Sequence, residues 1–188
     1  MKRGQFWGLL TATALFTAGC SSDEPGYDYA IPSQVCGVGV DQSALKEVLP
    51  TGKKAGAADG GTNDFRHHTC TVIIDGKSVL SVSILRDIGA GDAFGYWQKE
   101  FDNLTRTSLG GAAVLAGVGD DGAAAALECH PRTSQPQKDM SGVPYTHVRL
   151  KIKVDRETGN SGKATGLRKG METFVRSYIP ELTRTWCR

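Results

Sequence analysis

Ser43-Ala44-Leu45-Lys46 places a hydroxyl and an amine one helical turn apart. In S-x-x-K serine enzymes the lysine takes the proton of the nucleophile. The companion S-D-N and K-T-G motifs are absent, so Ser43 and Lys46 read as a helix surface. His67 and His68 are adjacent, and His130 and His147 lie further on. If the first pair is extended, its side chains point to opposite faces, so one metal cannot easily hold both. Three histidines could still converge, but surface residues are the plainer reading, and no metal or other cofactor is expected. Gly117-Val118-Gly119-Asp120-Asp121-Gly122 lacks the Lys-Ser/Thr ending of a P-loop, and its aspartates would repel phosphate. It reads as a turn. Arg149, Lys151 and Lys153 alternate with apolar residues on one strand. They are either a solvated sheet face or a contact for an anionic envelope polymer or lipid headgroups. No catalytic residue is assigned. An envelope enzyme would have to gather dispersed groups such as His67, His68, Asp120 and Asp121.

The chain holds five cysteines, and Cys20 stands apart from the rest. Lys2 and Arg3 precede an uncharged run whose apolar heart is Phe6 to Phe16, followed by Thr17-Ala18-Gly19-Cys20. Such a heart fits a secretory signal of ~7–15 apolar residues and is short for a membrane span. The sequence before Cys20 resembles a bacterial lipobox, with Thr17 where Leu, Val or Ile is usual. That resemblance implies a signal peptide over 1–19 and a lipid on Cys20. A cut after Thr13-Ala14 or Thr17-Ala18 is the alternative. Two acyl chains make a stable anchor where one is marginal.

Four cysteines remain: Cys36, Cys70, Cys129 and Cys187. Dispersed and even in number in an exported chain, they read as disulfides, and four allow three pairings. Cys36–Cys70 with Cys129–Cys187 is favoured, because those loops are compact and do not interlock.

The 188 residues carry 22 Lys+Arg against 20 Asp+Glu, for a net charge of +2. Lys2 and Arg3 supply that excess, so a chain starting at Cys20 is neutral. A neutral domain has no field for nucleic acid, and none is expected as a partner. Glycine, at 24 residues, is in surplus and is assigned to long flexible connections.

Residues 20–35 read as a tether and 36–188 as one domain. Asp41 to Leu49 reads as a helix capped by Asp41 and stopped by Pro50. Thr51 to Asp64 reads as a mobile loop. Cys70–Asp75 and Ser78–Arg86 read as strands joined by an Asp75-Gly76 hairpin turn. Asp92 to Arg106 reads as a helix with Phe94, Trp97, Phe101 and Leu104 on its buried face, and Tyr96 off it. Residues 109–126 read as a Gly/Ala-rich loop with a turn at Gly119–Gly122. A third strand runs over Ala124–His130, a polar loop over Pro131–Pro144, and a fourth strand over Tyr145–Val154. The last helix covers Lys163–Ile179, with Pro180 kinking or restarting it. The expected fold is α+β in the order α-β-β-α-β-β-α: an antiparallel sheet of about four or more strands, with helices on one face and two disulfides.

Lipobox, tether, Cys36 before a short helix, Cys70 on the next strand and a second cysteine pair together resemble small actinobacterial secreted lipoproteins, a family known only as a domain of unknown function. The resemblance implies an α+β domain on the outer face of the cell membrane, anchored through Cys20. It carries over no catalytic residue. The expectation is a non-catalytic surface lipoprotein that binds a ligand or a protein partner in the envelope. The alternatives are the dispersed-site enzyme and a sensor or accessory domain of a membrane complex.

Overall fold

The computed structural model describes residues 26–63, 65–129, 138, 142–155 and 164–187. The leader, Cys20, His130, most of the loop after it and the Gly159–Gly162 turn lie outside the described residues.

Seven strands form one antiparallel sheet. A short hairpin of β1 (Gln34–Val35) and β2 (Val38–Gly39) leads into α1 (Gln42–Lys46). Then come β3 (Ala55–Asn63), β4 (His67–Ile74) and β5 (Lys77–Asp87). After α2 (Ala93–Glu100) follow β6 (Thr105–Arg106), β7 (Ala113–Val118), β8 (Gly122–Glu128) and β9 (His147–Val154). The last element is α3 (Ala164–Trp186). The order across the sheet is β3-β4-β5-β9-β8-β7-β6. Two meanders, β3 to β5 and β6 to β9, thus meet edge to edge where β5 pairs β9.

The Asp75-Gly76 turn forms as expected: both residues have positive φ (51° and 79°), which a type I′ turn requires. Cys36–Cys70 and Cys129–Cys187 are the disulfides. The first pins the β1–β2 hairpin to β4. The second ties the end of β8 to the end of α3.

Strand alternation divides the sheet into two faces. Val72, Leu80, Val82, Ile84, Leu150 and Ile152 bury one face in a shared core with Val35 and Val38 of the hairpin, Leu45 of α1, and α3, whose Met171, Phe174, Val175, Tyr178 and Leu182 are fully enclosed. The other face meets α2, where Phe94, Trp97, Phe101 and Leu104 pack on Ala124 and Ala126. The aromatic stripe is core, as its spacing implies. Helices therefore cover both faces, not one.

Several expected boundaries move, each for a physical reason. Asp41 caps α1 by accepting the N–H groups of Ser43 and Ala44, but the α-helix stops at Lys46. Residues 55–63 are the edge strand β3, not a loop. Residues 113–118 and 122–128 are β7 and β8. β8 is buried on both faces from Gly122 to Leu127, so it shows no alternation, and its alanines have low strand propensity. The glycines here serve close packing: a Cβ on Gly117 would stand 2.8 Å from Phe94 Cε2, and one on Gly122 would collide with the Ile152 carbonyl. The flexible-loop assignment of this glycine is corrected accordingly. Helix α2 ends at Glu100, because Phe101 is already extended and Asn103 takes a positive φ of 51°. β9 starts at His147. Helix α3 continues through Pro180 to Trp186. Pro180 and Arg176 both lie on the exposed side, so water can solvate the carbonyl that the missing N–H leaves.

Candidate functional site

Two cross-strand rows build the open part of the sheet face that α2 leaves uncovered. Thr69 pairs Ser83 and Thr71 pairs Ser81 across β4 and β5. Ser83 pairs Lys151 and Ser81 pairs Lys153 across β5 and β9. Because paired residues point to the same face, four hydroxyls and two ammonium groups form a grid. The end of α2 walls one side with Glu100 and Phe101. The result is a groove of about 420 Å³, also lined by Gly60.

The charges of this groove cancel. Lys151 Nζ donates to both Glu100 carboxylate oxygens at 3.1 Å. Lys153 Nζ donates to the Glu100 carbonyl at 2.9 Å and lies 3.4 Å from the buried Asp121 carboxylate. Tyr96, one helical turn before the lining residue Glu100, is 58% exposed and is not itself a lining residue. The nearby Glu100 carboxylate favours the protonated phenol and raises its pKa. The Lys151 ammonium stands 5.7 Å from the Tyr96 ring centroid.

The hydroxyls are partly engaged. Thr69 donates to the Gly60 carbonyl, and Ser81 donates to the Lys153 carbonyl at 3.4 Å. His67 Nε2 lies 3.0 Å from Ser83 Oγ. That is a hydroxyl–imidazole pair, but Ser83 sits in the middle of β5 with paired strands on both sides. A serine nucleophile usually has free backbone N–H groups beside it to stabilise an oxyanion; here the sheet ladder occupies the backbone.

The structure disperses the other candidate residues. Lys46 turns to the Tyr27 ring, with Nζ 4.6 Å from its centroid, and Ser43 is exposed. His67 and His68 face opposite sides of β4, as extended neighbours must. His68 lies 3.7 Å from Asp59 on the far side from the groove. Cys36, His68 and Cys70 hold their ligand atoms within 4.8 Å of one another, but the two sulfurs are joined to each other and offer no thiolate. His147 pairs Asp87 and Glu128 at the other end of β9 from Lys153. Asp120 and Asp121 sit in the β7–β8 turn, roughly 20 Å or more from His68 by strand spacing and rise. His67, His68, Asp120 and Asp121 thus make no single site. Both aspartates hold structure. Asp121 accepts the Asp102 N–H at 2.9 Å, and Asp120 accepts two Arg168 N–H groups at 3.0 and 2.7 Å.

Arg149, Lys151 and Lys153 do share one face. Each has a carboxylate partner: Asp87 at 2.8 Å, Glu100 at 3.1 Å and Asp121 at 3.4 Å. The sequence reading missed Thr69, Thr71, Ser81, Ser83 and Glu100. Their signal is the run of hydroxyls Thr69, Thr71, Ser81 and Ser83 alternating with the apolar Cys70, Val72, Leu80, Val82 and Ile84. Glu100 has no such signal, since only packing brings α2 to β9.

Among the described residues, no helix is long and apolar enough to cross a membrane. Two disulfides fit an oxidising compartment outside the cytoplasm. The chain matches no family model, no curated protein and no solved structure.

Proposed function

We propose that this chain is a non-catalytic lipoprotein of the bacterial envelope, tethered through Cys20, that holds a ligand in the hydroxyl-lined groove between β4, β5, β9 and the end of α2. The carrying observation is the grid itself. Four outward hydroxyls and two carboxylate-paired lysines meet in a groove of about 420 Å³, within the ~300–1,000 Å³ usual for small-molecule sites. The lipobox-like run before Cys20 and the two disulfides support the location. The resemblance to small actinobacterial lipoproteins supports the same placement.

A photo-crosslinking residue placed at Thr71 tests the reading in the native envelope. An adduct from that position, and none from the exposed α3 position Thr173, supports a groove ligand. Equal labelling from both positions, or none from either, defeats it. Incorporation of a palmitate analogue, lost in Cys20→Ser, tests the anchor separately.

A second reading follows from the His67–Ser83 contact of 3.0 Å: acyl transfer on Ser83, with His67 as base. A fluorophosphonate probe that labels Ser83, with labelling lost in His67→Gln, would favour it over the binding role.

A further inference from the structure

Resting on the groove reading, we infer that the ligand is a neutral saccharide, with Tyr96 as the platform for one face of a sugar ring. Charge excludes the other common classes first. Lys151 and Lys153 already face Glu100 and Asp121, so the site is neutral as a whole. An anion would have to displace a carboxylate, and a cation would have to displace an ammonium. A polyol displaces neither. It needs groups that both donate and accept, which Thr71, Ser81 and Ser83 provide. It also needs fixed charged acceptors and donors for charge-assisted bonds, which Glu100 and Lys151 provide.

The exposed aromatic completes the fit. A pyranose ring carries a patch of C–H groups on one face, and a flat side chain beside polar groups suits such an amphipathic ring. Tyr96 is 58% exposed, lies one turn from Glu100 and has the groove's Lys151 ammonium 5.7 Å from its ring centroid. A groove of about 420 Å³ is at the small end for such sites, which favours a mono- or disaccharide over a long chain segment.

Saturation-transfer NMR on the mature chain with Cys20→Ser tests this. The probes are glucose, mannose, galactose, arabinose, N-acetylglucosamine and the disaccharides trehalose and maltose, with inorganic phosphate as the anionic control. The expected result is binding of at least one neutral sugar that changes little with salt, weakened roughly tenfold in Tyr96→Ala and in Ser81→Val. Tyr96 is a surface residue, so its variant keeps the fold, and near-UV circular dichroism checks both variants. Sugar binding unchanged in both folded variants overturns the proposal. Phosphate binding lost in Ser81→Val, with no sugar bound, overturns the saccharide class and leaves the groove reading standing. No sugar bound at all overturns the saccharide class, and the Thr71 crosslink then decides the groove reading by itself.

Discussion

Lys151 Nζ bridges both carboxylate oxygens of Glu100 at 3.1 Å, joining the middle of β9 to the last turn of α2. The contact fixes where α2 ends over the sheet and so sets one wall of the groove. Both side chains are about one-third exposed, at 35% and 29%. Solvent therefore screens the pair, and a coupling of about 0.5 kcal/mol is expected from a double-mutant cycle of Lys151→Ala and Glu100→Ala. Urea unfolding of the four proteins measures it. Additive single effects would show that α2 is placed by its apolar stripe alone.

Gly122 separates the packed-strand account from a loop account. A Cβ there meets the Ile152 carbonyl and stands 2.7 Å from Phe101 Cε1, with backbone on one side that cannot move aside. Gly122→Ala is expected to destabilise by about 3 kcal/mol. Gly56, in edge strand β3, has open space at its Cβ position, so Gly56→Ala is expected to change stability by no more than about 0.5 kcal/mol. In a flexible loop both changes would be neutral or mildly stabilising. Chemical unfolding of the two variants distinguishes the cases.

The same region shows where sequence reading succeeds and where it stops. The Asp75-Gly76 turn was legible because it depends on two adjacent residues and their allowed φ. The stripe Phe94, Trp97, Phe101 and Leu104 was legible because one face of α2 is buried. Its end was not, because Phe101 and Leu104 keep helical spacing after the helix has stopped. β8 was legible only from Ala124, and its start at Gly122 was missed for a related reason: with both faces covered, Ala123 to Ala126 carry no alternation, and small residues resemble a linker. The hydroxyl grid was half legible, since Ser81 and Ser83 visibly alternate with Val82 and Ile84. That Thr69 and Thr71 lie opposite them was not legible, because the plain two-residue hairpin would pair Thr71 with Leu80, and a bulge between Val72 and Ile73 shifts the register by one. That Glu100 closes the site depends on tertiary packing.

Arg168 was invisible to every motif and carries the densest hydrogen-bonding in the described structure. From the start of α3 it donates to Asp120 at 3.0 and 2.7 Å, to Thr105 Oγ1 at 2.9 Å, and to the carbonyls of Val118 and Asn103 at 3.0 and 2.8 Å. One planar guanidinium thereby joins α3, the β7–β8 turn and the chain between α2 and β6. Lysine cannot reproduce that fork. Arg168→Lys is expected to cost about 2 kcal/mol, with Arg168→Ala costing more, because the half-buried Val118 carbonyl and the Asp120 carboxylate lose charge-assisted partners. Thermal unfolding reads the loss. Equal stability of Arg168→Lys and the parent would show that charge alone matters there.

Tyr29 gives the fold an alkaline limit. Its hydroxyl donates to the Pro50 carbonyl at 2.6 Å. Burial, then the neighbouring Tyr27 and the Asp75 carboxylate, push its pKa up to about 12 from an ordinary 10.0. A group whose folded pKa is raised contributes stability that is complete below the unfolded value and is lost as pH rises through the folded one. The loss attached to Tyr29 therefore runs from about pH 10 to about pH 12. Tyr178, fully buried with its hydroxyl on the Val35 carbonyl, is shifted the same way by burial and adds to the decline. Tyr29→Phe is expected to lose about 1 kcal/mol at pH 8 with the hydrogen bond, yet to fall less steeply than the parent above pH 10. Urea unfolding at several pH values from 8 to 11 measures both slopes. Parallel slopes for parent and variant would place the alkaline transition elsewhere, with Tyr178→Phe the next variant to compare.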